Sequence, residues 1–329
     1  MKYRVGIVGC GGIAEVHAKS LIQTKNAELV AFADTKLERA ERFASEYGGR
    51  AYGSLEEMLT SETFHVLHIC TPHALHVPMA LQAARRGIHV FTEKPAAVSD
   101  EQMDALMEAA QKVRVGICFQ NRYNDNVRYV RQALEAGEGG RVLGARAFVT
   151  WRREAPYYQE SGWRGTMALE GGSVLINQSI HTLDLLTILM GEAETAEATM
   201  TNHCLSDVIE TEDTLEAWIR YKSGACASFY ATNAYCENAP VLIEIVCEKR
   251  TYRLEGAKLY IKENAGEFQE VKFENRKALG KSYWGTGHLS CIRNFYASLD
   301  GSEEYLVKLE EAESTMRLMF RIYRSARRE

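Results

Sequence analysis

Tyr3-Arg4-Val5-Gly6-Ile7-Val8-Gly9-Cys10-Gly11-Gly12-Ile13-Ala14-Glu15-Val16-His17-Ala18-Lys19-Ser20-Leu21-Ile22 decides the fold of this chain. Residues 3–8 read as a buried strand, the glycines follow at once, and 15–22 carry the apolar spacing of a helix. Strand, glycine turn and helix in that order match a G-x-G-x-x-[GA] dinucleotide-binding pattern. Gly9 permits the tight turn, and Gly11 lets the backbone approach a pyrophosphate. Ala14 is small enough for the helix to lie close to its strand. The free N–H groups around Gly12 and Ile13, at the helix start, face the phosphates with the helix dipole aligned favourably.

Working outward, a second apolar strand, Leu29-Val30-Ala31-Phe32-Ala33, ends in Asp34. A carboxylate there accepts both adenosine ribose hydroxyls and repels a 2′-phosphate, so NAD is expected over NADP. Lys36 nearby offsets part of that repulsion, which keeps NADP open. Up to about residue 120, apolar strands near 3–8, 28–33, 66–70, 88–91 and 114–119 alternate with helical stretches at 13–25, 36–47, 54–60, 75–86 and 100–112. That alternation predicts a doubly wound parallel sheet covered on both faces, a Rossmann domain over 1–120.

After residue 120 the period changes. Helices at 124–137 and 173–190 flank strand-like runs at 142–151, 194–200, 213–222, 225–232, 241–247, 250–254 and 258–262, many of them separated by glycine turns. The expectation is an open-faced, mostly antiparallel sheet with helices on one face, an α+β domain over 121–329. A final helix over about 308–327 has no assigned partner.

The whole chain has 329 residues, 46% hydrophobic and 25% charged, enough for two domains. A net charge of −5 argues against nucleic acid, which needs a positive surface. Arg317, Arg321, Arg324, Arg327 and Arg328, with Glu310, Glu311 and Glu313 upstream, read as a solvated helix face rather than a nucleic-acid or membrane patch. Eight cysteines without a C-x-x-C pair predict free thiols in a reducing compartment and no zinc. Cys10 reads as a space-filler between glycines. No leader or membrane span is expected, since the first strand starts at residue 3, and the cytoplasm is the expected location.

Two further segments carry chemistry. In Ser173–Gly191, the residues Ser173, Asn177, His181 and Asp184 share one helical stripe, and Asp184 is the only charge in the segment. Solvent faces usually carry Lys, Arg and Glu, so this polar stripe suits a cleft. The other segment, Ile88-His89-Val90-Phe91-Thr92-Glu93-Lys94-Pro95, is a strand ending in a charged pair and a proline. Ligands of an open parallel sheet bind beyond the carboxyl ends of its strands, which puts Lys94 where a nicotinamide or its substrate lies. The upstream strand ends similarly, with Thr71 and Pro72 walling the same crevice and His73 close by. Trp151, Arg152, Tyr157, Tyr158, Arg164 and His288 are candidates for a substrate rim, because sugars suit aromatic faces and bidentate donors.

Taken together, these motifs resemble the family of glucose–fructose oxidoreductase, inositol dehydrogenase and the rhizopine catabolism protein MocA. The residues that carry the likeness run nearly end to end: 9–14, Asp34, 70–73, Glu93-Lys94-Pro95, Asn121-Arg122-Tyr123, Trp163-Arg164-Gly165, Gly171-Gly172, His181 with Asp184, Gly287-His288 and 322–325. The resemblance implies a Rossmann domain followed by an open-faced sheet, homodimers or homotetramers formed through that sheet, and NAD(P)-linked oxidation or reduction of sugars, cyclitols and related polyols. It implies that Lys94 is the catalytic lysine and His181 the proton-transferring histidine. It places Gly9, Gly11, Gly12, Ile13, Ala14, Asp34, Thr71, Pro72, His73, Glu93, Lys94 and Asn121 toward the cofactor. Inositol-dehydrogenase-like members carry Asp four residues before the histidine, where this chain has Asn177. A branch acting on nucleotide-linked aminosugar acids is similar in carrying Asn-Gln-x-x-His.

The expected reaction is hydride transfer between NAD(H) and a carbon-bound hydroxyl. An imidazole, which ordinarily titrates near ~6.5, takes the hydroxyl proton, and Lys94 stabilises the developing alkoxide. Asn177 positions a neighbouring hydroxyl, and Asp184 orients the histidine or contacts substrate. Two other classes stay open at this point: a redox-neutral enzyme that recycles tightly held NAD through a transient keto-sugar, and a non-catalytic NAD-sensing module.

Overall fold

The computed structural model describes residues 2–273 and 287–327; Arg328 of the basic terminal run lies outside them. The chain divides into two compact units, Met1–Tyr123 with Lys277–Ala312, and Asn124–Arg276 with Glu313–Glu329. A cut at residue 120 into two consecutive stretches does not contain this return of the chain to the first unit.

The first unit is built on six parallel strands: β1 (Tyr3–Val8), β2 (Ala27–Ala33), β3 (Arg50–Tyr52), β4 (Val66–Ile69), β5 (His89–Thr92) and β6 (Val115–Ile117). Their order is β3-β2-β1-β4-β5-β6, so the order in which strands are added reverses between β1 and β4, the switch point where such sheets bind ligands. Continuously apolar strands are what a sheet covered on both faces requires, and β4 is buried at all of its positions. The crossovers are α1 (Gly12–Leu21), α2 (Leu37–Tyr47), α3 (Leu55–Ser61), α4 (His76–Ala84) and α5 (Asp100–Ala109). Ser54 and Ser99 cap α3 and α5 by accepting the N–H groups of Glu57 and Gln102.

The second unit opens with α6 (Asp125–Glu135) and carries an eight-stranded sheet. Its strands are β7 (Val142–Thr150), β8 (Ala193–Thr201), β9 (Thr214–Tyr221), β10 (Cys226–Thr232), β11 (Leu242–Cys247), β12 (Arg250–Glu255), β13 (Lys258–Glu263) and β14 (Gln269–Val271). Among the described strands of this sheet, only β7 and β10 run parallel; the other pairs are antiparallel. Along β9 burial alternates strictly, so Leu215, Ala217, Ile219 and Tyr221 enter the core while Glu216, Trp218 and Arg220 face outward. Across the open face, Trp218, Ser228, Arg146, Glu244 and Arg253 lie in one row, in which Glu244 bridges both arginines.

The short helix α7 (Ala155–Gln159) and the long segment leading to α8 (Ile180–Met190) follow β7. The predicted continuous α-helix over 173–190 begins instead with a wide π turn at Val174–Ser179. There the N–H groups of Asn177 and Gln178 both point at the Ser173 carbonyl, at 3.0 and 3.4 Å. Such turns insert one extra residue and occur often at functional sites.

Helix α9 (His288–Leu299), absent from the sequence reading, belongs to the first unit and packs against α1. Gly116 on β6 makes room for it: a Cβ there would lie 2.5 Å from Phe295. The terminal helix α10 (Leu309–Arg327) does have partners, since Thr315 and Tyr323 bond Asp184 and Glu212, and Ser325 accepts the N–H of Ala198.

Candidate functional site

The glycine turn is shaped by hard contacts. Gly9 has φ +86°, and a Cβ on it would sit 2.6 Å from the Cys70 carbonyl oxygen at the end of β4. Side chains other than glycine are excluded on both counts. At Gly11 and Gly12 the opposite holds, because an added Cβ meets nothing within 4 Å. Open space over these residues, beside a helix N-terminus with no side-chain cap, fits a pyrophosphate held by backbone N–H groups. Ala14 is fully buried against the sheet, and Ile13 is half-buried.

Asp34 pins this loop from the end of β2. Its Oδ2 accepts the Cys10 N–H at 2.8 Å, and its Oδ1 accepts the Lys36 N–H at 2.9 Å. A carboxylate has about four acceptor positions, so two remain for ribose hydroxyls. The Cys10 thiol is pushed up to about 12 by burial and by the charge of Asp34, which leaves it a space-filler and no nucleophile. Gly9→Ala is expected to weaken NADH binding by roughly 10²-fold through strain and the Cys70 clash, read by fluorescence titration. Unchanged affinity would show that the turn does not hold the phosphates.

At the end of β5, Glu93 is buried and Lys94 half-buried. Glu93 Oε1 faces His17 Nε2 at 2.9 Å; His17 Nδ1 faces His68 Nδ1 at 2.9 Å; His68 Nε2 faces the Tyr296 hydroxyl at 3.0 Å. One proton arrangement satisfies the whole chain: Tyr296 donates to His68, His68 to His17, and His17 to the Glu93 carboxylate. Burial raises the Glu93 carboxyl, yet the hydrogen bond from His17 and the charge of Lys94 hold it below the ordinary carboxylate range. His76 lies between the carbonyls of Pro95 and Thr71, at 2.8 and 2.9 Å, and so ties the ends of β4 and β5 together. Thr71 and Pro72 are half-buried beside it, His73 is buried, and Asn121 sits half-buried in the 3-10 turn after β6.

His288, a rim candidate in the sequence, is the first residue of α9. It is 4% exposed, and burial pushes its imidazole down to about 4, against the pull of Glu93. The cause is the start of α9: Gly287 presses on the Gln120 carbonyl so closely that a Cβ would overlap it.

In the second unit, Asn177 and His181 are half-buried on the π turn and the first turn of α8. Asp184 departs from the expected stripe. It is 1% exposed, and its Oδ1 accepts from Thr315 Oγ1 of α10 at 2.9 Å, so it anchors helix packing. Ser173 is likewise buried, near Tyr158 and Asn233.

The sequence reading missed Glu170. This carboxylate accepts the Gly165 N–H on one oxygen and the Asn177 amide on the other. Burial and the nearby charge of Glu212 push it up to about 7, against the hydrogen bonds from Gly165 and Asn177 and the charge of Arg164. A raised carboxyl favours the folded state fully below 4.5 and loses that contribution as pH climbs through about 7. The rise from 4.5 to about 7 is worth roughly 3 kcal/mol. Glu170→Gln is therefore expected to melt higher than the native chain at pH 8, with the gap closing toward pH 4.5. Equal melting curves at pH 8 would contradict this burial penalty.

Around Asn177, the rim candidates separate. Arg164 stacks on Tyr157 at 4.4 Å and on Trp163 at 5.2 Å, while Tyr157 accepts from Gln178 at 2.7 Å. Trp151 donates to the Ala239 carbonyl, and Arg152 is exposed and paired with Glu154. Arg153, not singled out in the sequence, bonds Gln178 and stacks on Trp151 and Tyr157. Its signal was available only in the basic pair Arg152-Arg153, which reads as surface charge. Among the described residues, two His/Cys/acid groups lie close enough to suit a metal, His17-Glu93-Cys118 and His203-Cys204-Asp213. The former is knitted into the histidine chain above, and Asp213 already accepts three backbone N–H groups.

Comparison with known proteins gives the same picture. Residues 3–121 match the model of an oxidoreductase family with an NAD-binding Rossmann fold, and residues 127–253 match the GFO/IDH/MocA C-terminal domain. The chain is 32% identical to the WlbA dehydrogenase of Bordetella pertussis, solved in complex with NADH and UDP-GlcNAcA; the match covers 99% of this chain and 97% of that one, with a TM-score of 0.87. It is 30% identical to 1,5-anhydro-D-fructose reductase of Ensifer adhaerens, over 69% of this chain and 68% of that protein. Against glucose-6-phosphate 3-dehydrogenase of Bacillus subtilis it is 31% identical over 50% of this chain, and the match spans about half (51%) of that relative. Both family models match in sequence order and together take in more than half of the residues, so the chain belongs to the GFO/IDH/MocA oxidoreductase family and its cofactor is NAD.

Proposed function

We propose that this protein oxidises a hydroxyl carbon of a sugar derivative with NAD, or runs the reverse reduction, and that a UDP-linked aminosugar acid is its substrate. The observation that carries the reading is Asn177-Gln178-x-x-His181, with Asn177 and Gln178 on the π turn and His181 in the first turn of α8, in a chain 32% identical over nearly its whole length to a dehydrogenase solved with NADH and UDP-GlcNAcA. Bound NAD supplies the hydride acceptor. Lys94 hydrogen-bonds the reacting oxygen and stabilises its growing negative charge. His181 removes the hydroxyl proton as general base. Asn177 orients a neighbouring hydroxyl, and Arg164 with Tyr157 forms the polar and aromatic rim for the sugar nucleotide.

The relatives' names are those of dehydrogenases and reductases, which favours net redox turnover over a recycled cofactor or a sensor. Trp218 and Val246, exposed on the open sheet face, support self-association into a dimer or tetramer through that face. No described helix is long and apolar enough to cross a membrane. All eight cysteines are free, which suits the reducing cytoplasm. The test is absorbance at 340 nm with NAD and then NADP, across UDP-GlcNAcA, cyclitols, aldoses and uronates. NADH formation with UDP-GlcNAcA above all others is expected; turnover of a free cyclitol alone would overturn the substrate, and none with any would overturn the reaction.

A further inference from the structure

We propose that His203, Cys204 and Asp213 form a binding site for a divalent cation of the zinc class, at the joint between β8 and β9. Nothing in the sugar chemistry above depends on it.

β8 ends at Thr201 and β9 begins at Thr214, and the chain bends between them at His203, Cys204 and Leu205. The Asp213 N–H donates to the Thr201 carbonyl at 3.0 Å, and the Asp213 side chain is fully buried. The N–H groups of His203, Cys204 and Leu205 all donate to one of its oxygens, Oδ2, at 3.0, 2.7 and 3.1 Å. The other oxygen, Oδ1, is buried too and accepts no hydrogen bond among the described residues. Buried polar atoms left without a partner are uncommon in folded proteins, and a bound ion is one of the few things that satisfies them.

Two ligand-type side chains meet this carboxylate. A ring nitrogen of His203, the Cys204 sulfur and an Asp213 carboxylate oxygen all lie within 4.8 Å of one another. His203 Nδ1 stands 3.5 Å from Asp213 Oδ1. A charge-assisted hydrogen bond is shorter, roughly 2.7–2.9 Å. The edge of a tetrahedron whose metal–nitrogen and metal–oxygen bonds are about 2.1 Å comes close to the observed separation. The Thr201 hydroxyl, 3.2 Å from the same nitrogen, gives up that contact when a metal binds there. Imidazole, thiolate and carboxylate together suit zinc, whereas magnesium and calcium favour oxygen alone. Cys204 is exposed, so its thiol proton passes to water as the metal–sulfur bond forms. The fourth coordination place is left to water. No C-x-x-C pair announces the site, because two ligands are adjacent residues and the third stands just before the next strand. A bound ion would clamp the loop whose Leu205 and Ile209 pack on Tyr158.

The experiment titrates the full chain, with NAD bound and its thiols reduced, first with cobalt(II) and then with zinc. One cobalt per chain is expected, with the visible bands of a four-coordinate ion and a thiolate charge-transfer band in the near ultraviolet. Zinc displaces it with a Kd of about 1 μM or tighter. Cys204→Ser is expected to lose the charge-transfer band, and His203→Gln and Asp213→Asn to weaken zinc roughly 10²-fold. Asn keeps an acceptor for the three N–H groups; should Asp213→Asn fail to fold, the variants at the exposed His203 and Cys204 carry the test. Cys236→Ser, at the other exposed thiol, is expected to match the native chain. No thiolate band at excess cobalt, a band that survives Cys204→Ser, or native zinc affinity in His203→Gln would overturn the site.

Discussion

Lys94→Ala is expected to lose roughly 10²-fold or more in turnover while binding NADH within a fewfold of the native affinity. The split follows from where Lys94 stands. The proposed phosphate site is the glycine turn, whose N–H groups the substitution leaves in place. The ammonium instead sits just past β5, where backbone on both sides is secured: Glu93 is locked to His17, and the Pro95 carbonyl meets His76. A fixed cation contributes most where charge grows during reaction, and an oxygen losing its carbon-bound hydride is such a place. Lys94→Arg should not rescue, because a planar guanidinium cannot replace a compact point charge. Steady-state kinetics at 340 nm with fluorescence-monitored NADH binding would check it; normal turnover in Lys94→Ala removes the lysine from the chemistry.

His181→Ala is expected to cost about 10²- to 10⁴-fold in kcat and to flatten the acidic limb of the pH–rate profile. General bases work only when deprotonated, so activity of the native chain should fall as pH drops through the range where an imidazole gains its proton. Without that group the proton must leave to solvent, and the remaining rate loses this dependence. An unchanged acidic limb in His181→Ala would remove it as the base.

The Rossmann half was legible because its signals are local. A buried strand, a glycine at φ +86° and a helix start are neighbours in sequence, and each element is recognised by its own period. Short β3 and β14 carry three residues each, too few for a pattern to form. Helix α9 was lost for a different reason: Ile292, Phe295 and Tyr296 favour strands by propensity, and only packing against α1 makes them helical. At the candidate site, Asn177 and His181 stood out as polar residues in an apolar run. Glu170 did not, because an acidic residue before two glycines reads as a surface turn. Its burial comes from Gly165 and Asn177 folding over it. Asp184 misled in the opposite sense, since a lone charge on an apolar helix suits a cleft until the terminal helix supplies Thr315.

Transfer of hydrogen from sugar carbon to cofactor can be measured directly, by incubating the protein with NAD and ring-deuterated UDP-GlcNAcA and weighing the nicotinamide nucleotide by mass spectrometry. NADH carrying one deuterium, in amounts that grow with time, is the expected result. NADH of natural mass, or a substrate consumed with no NADH released, would contradict the account.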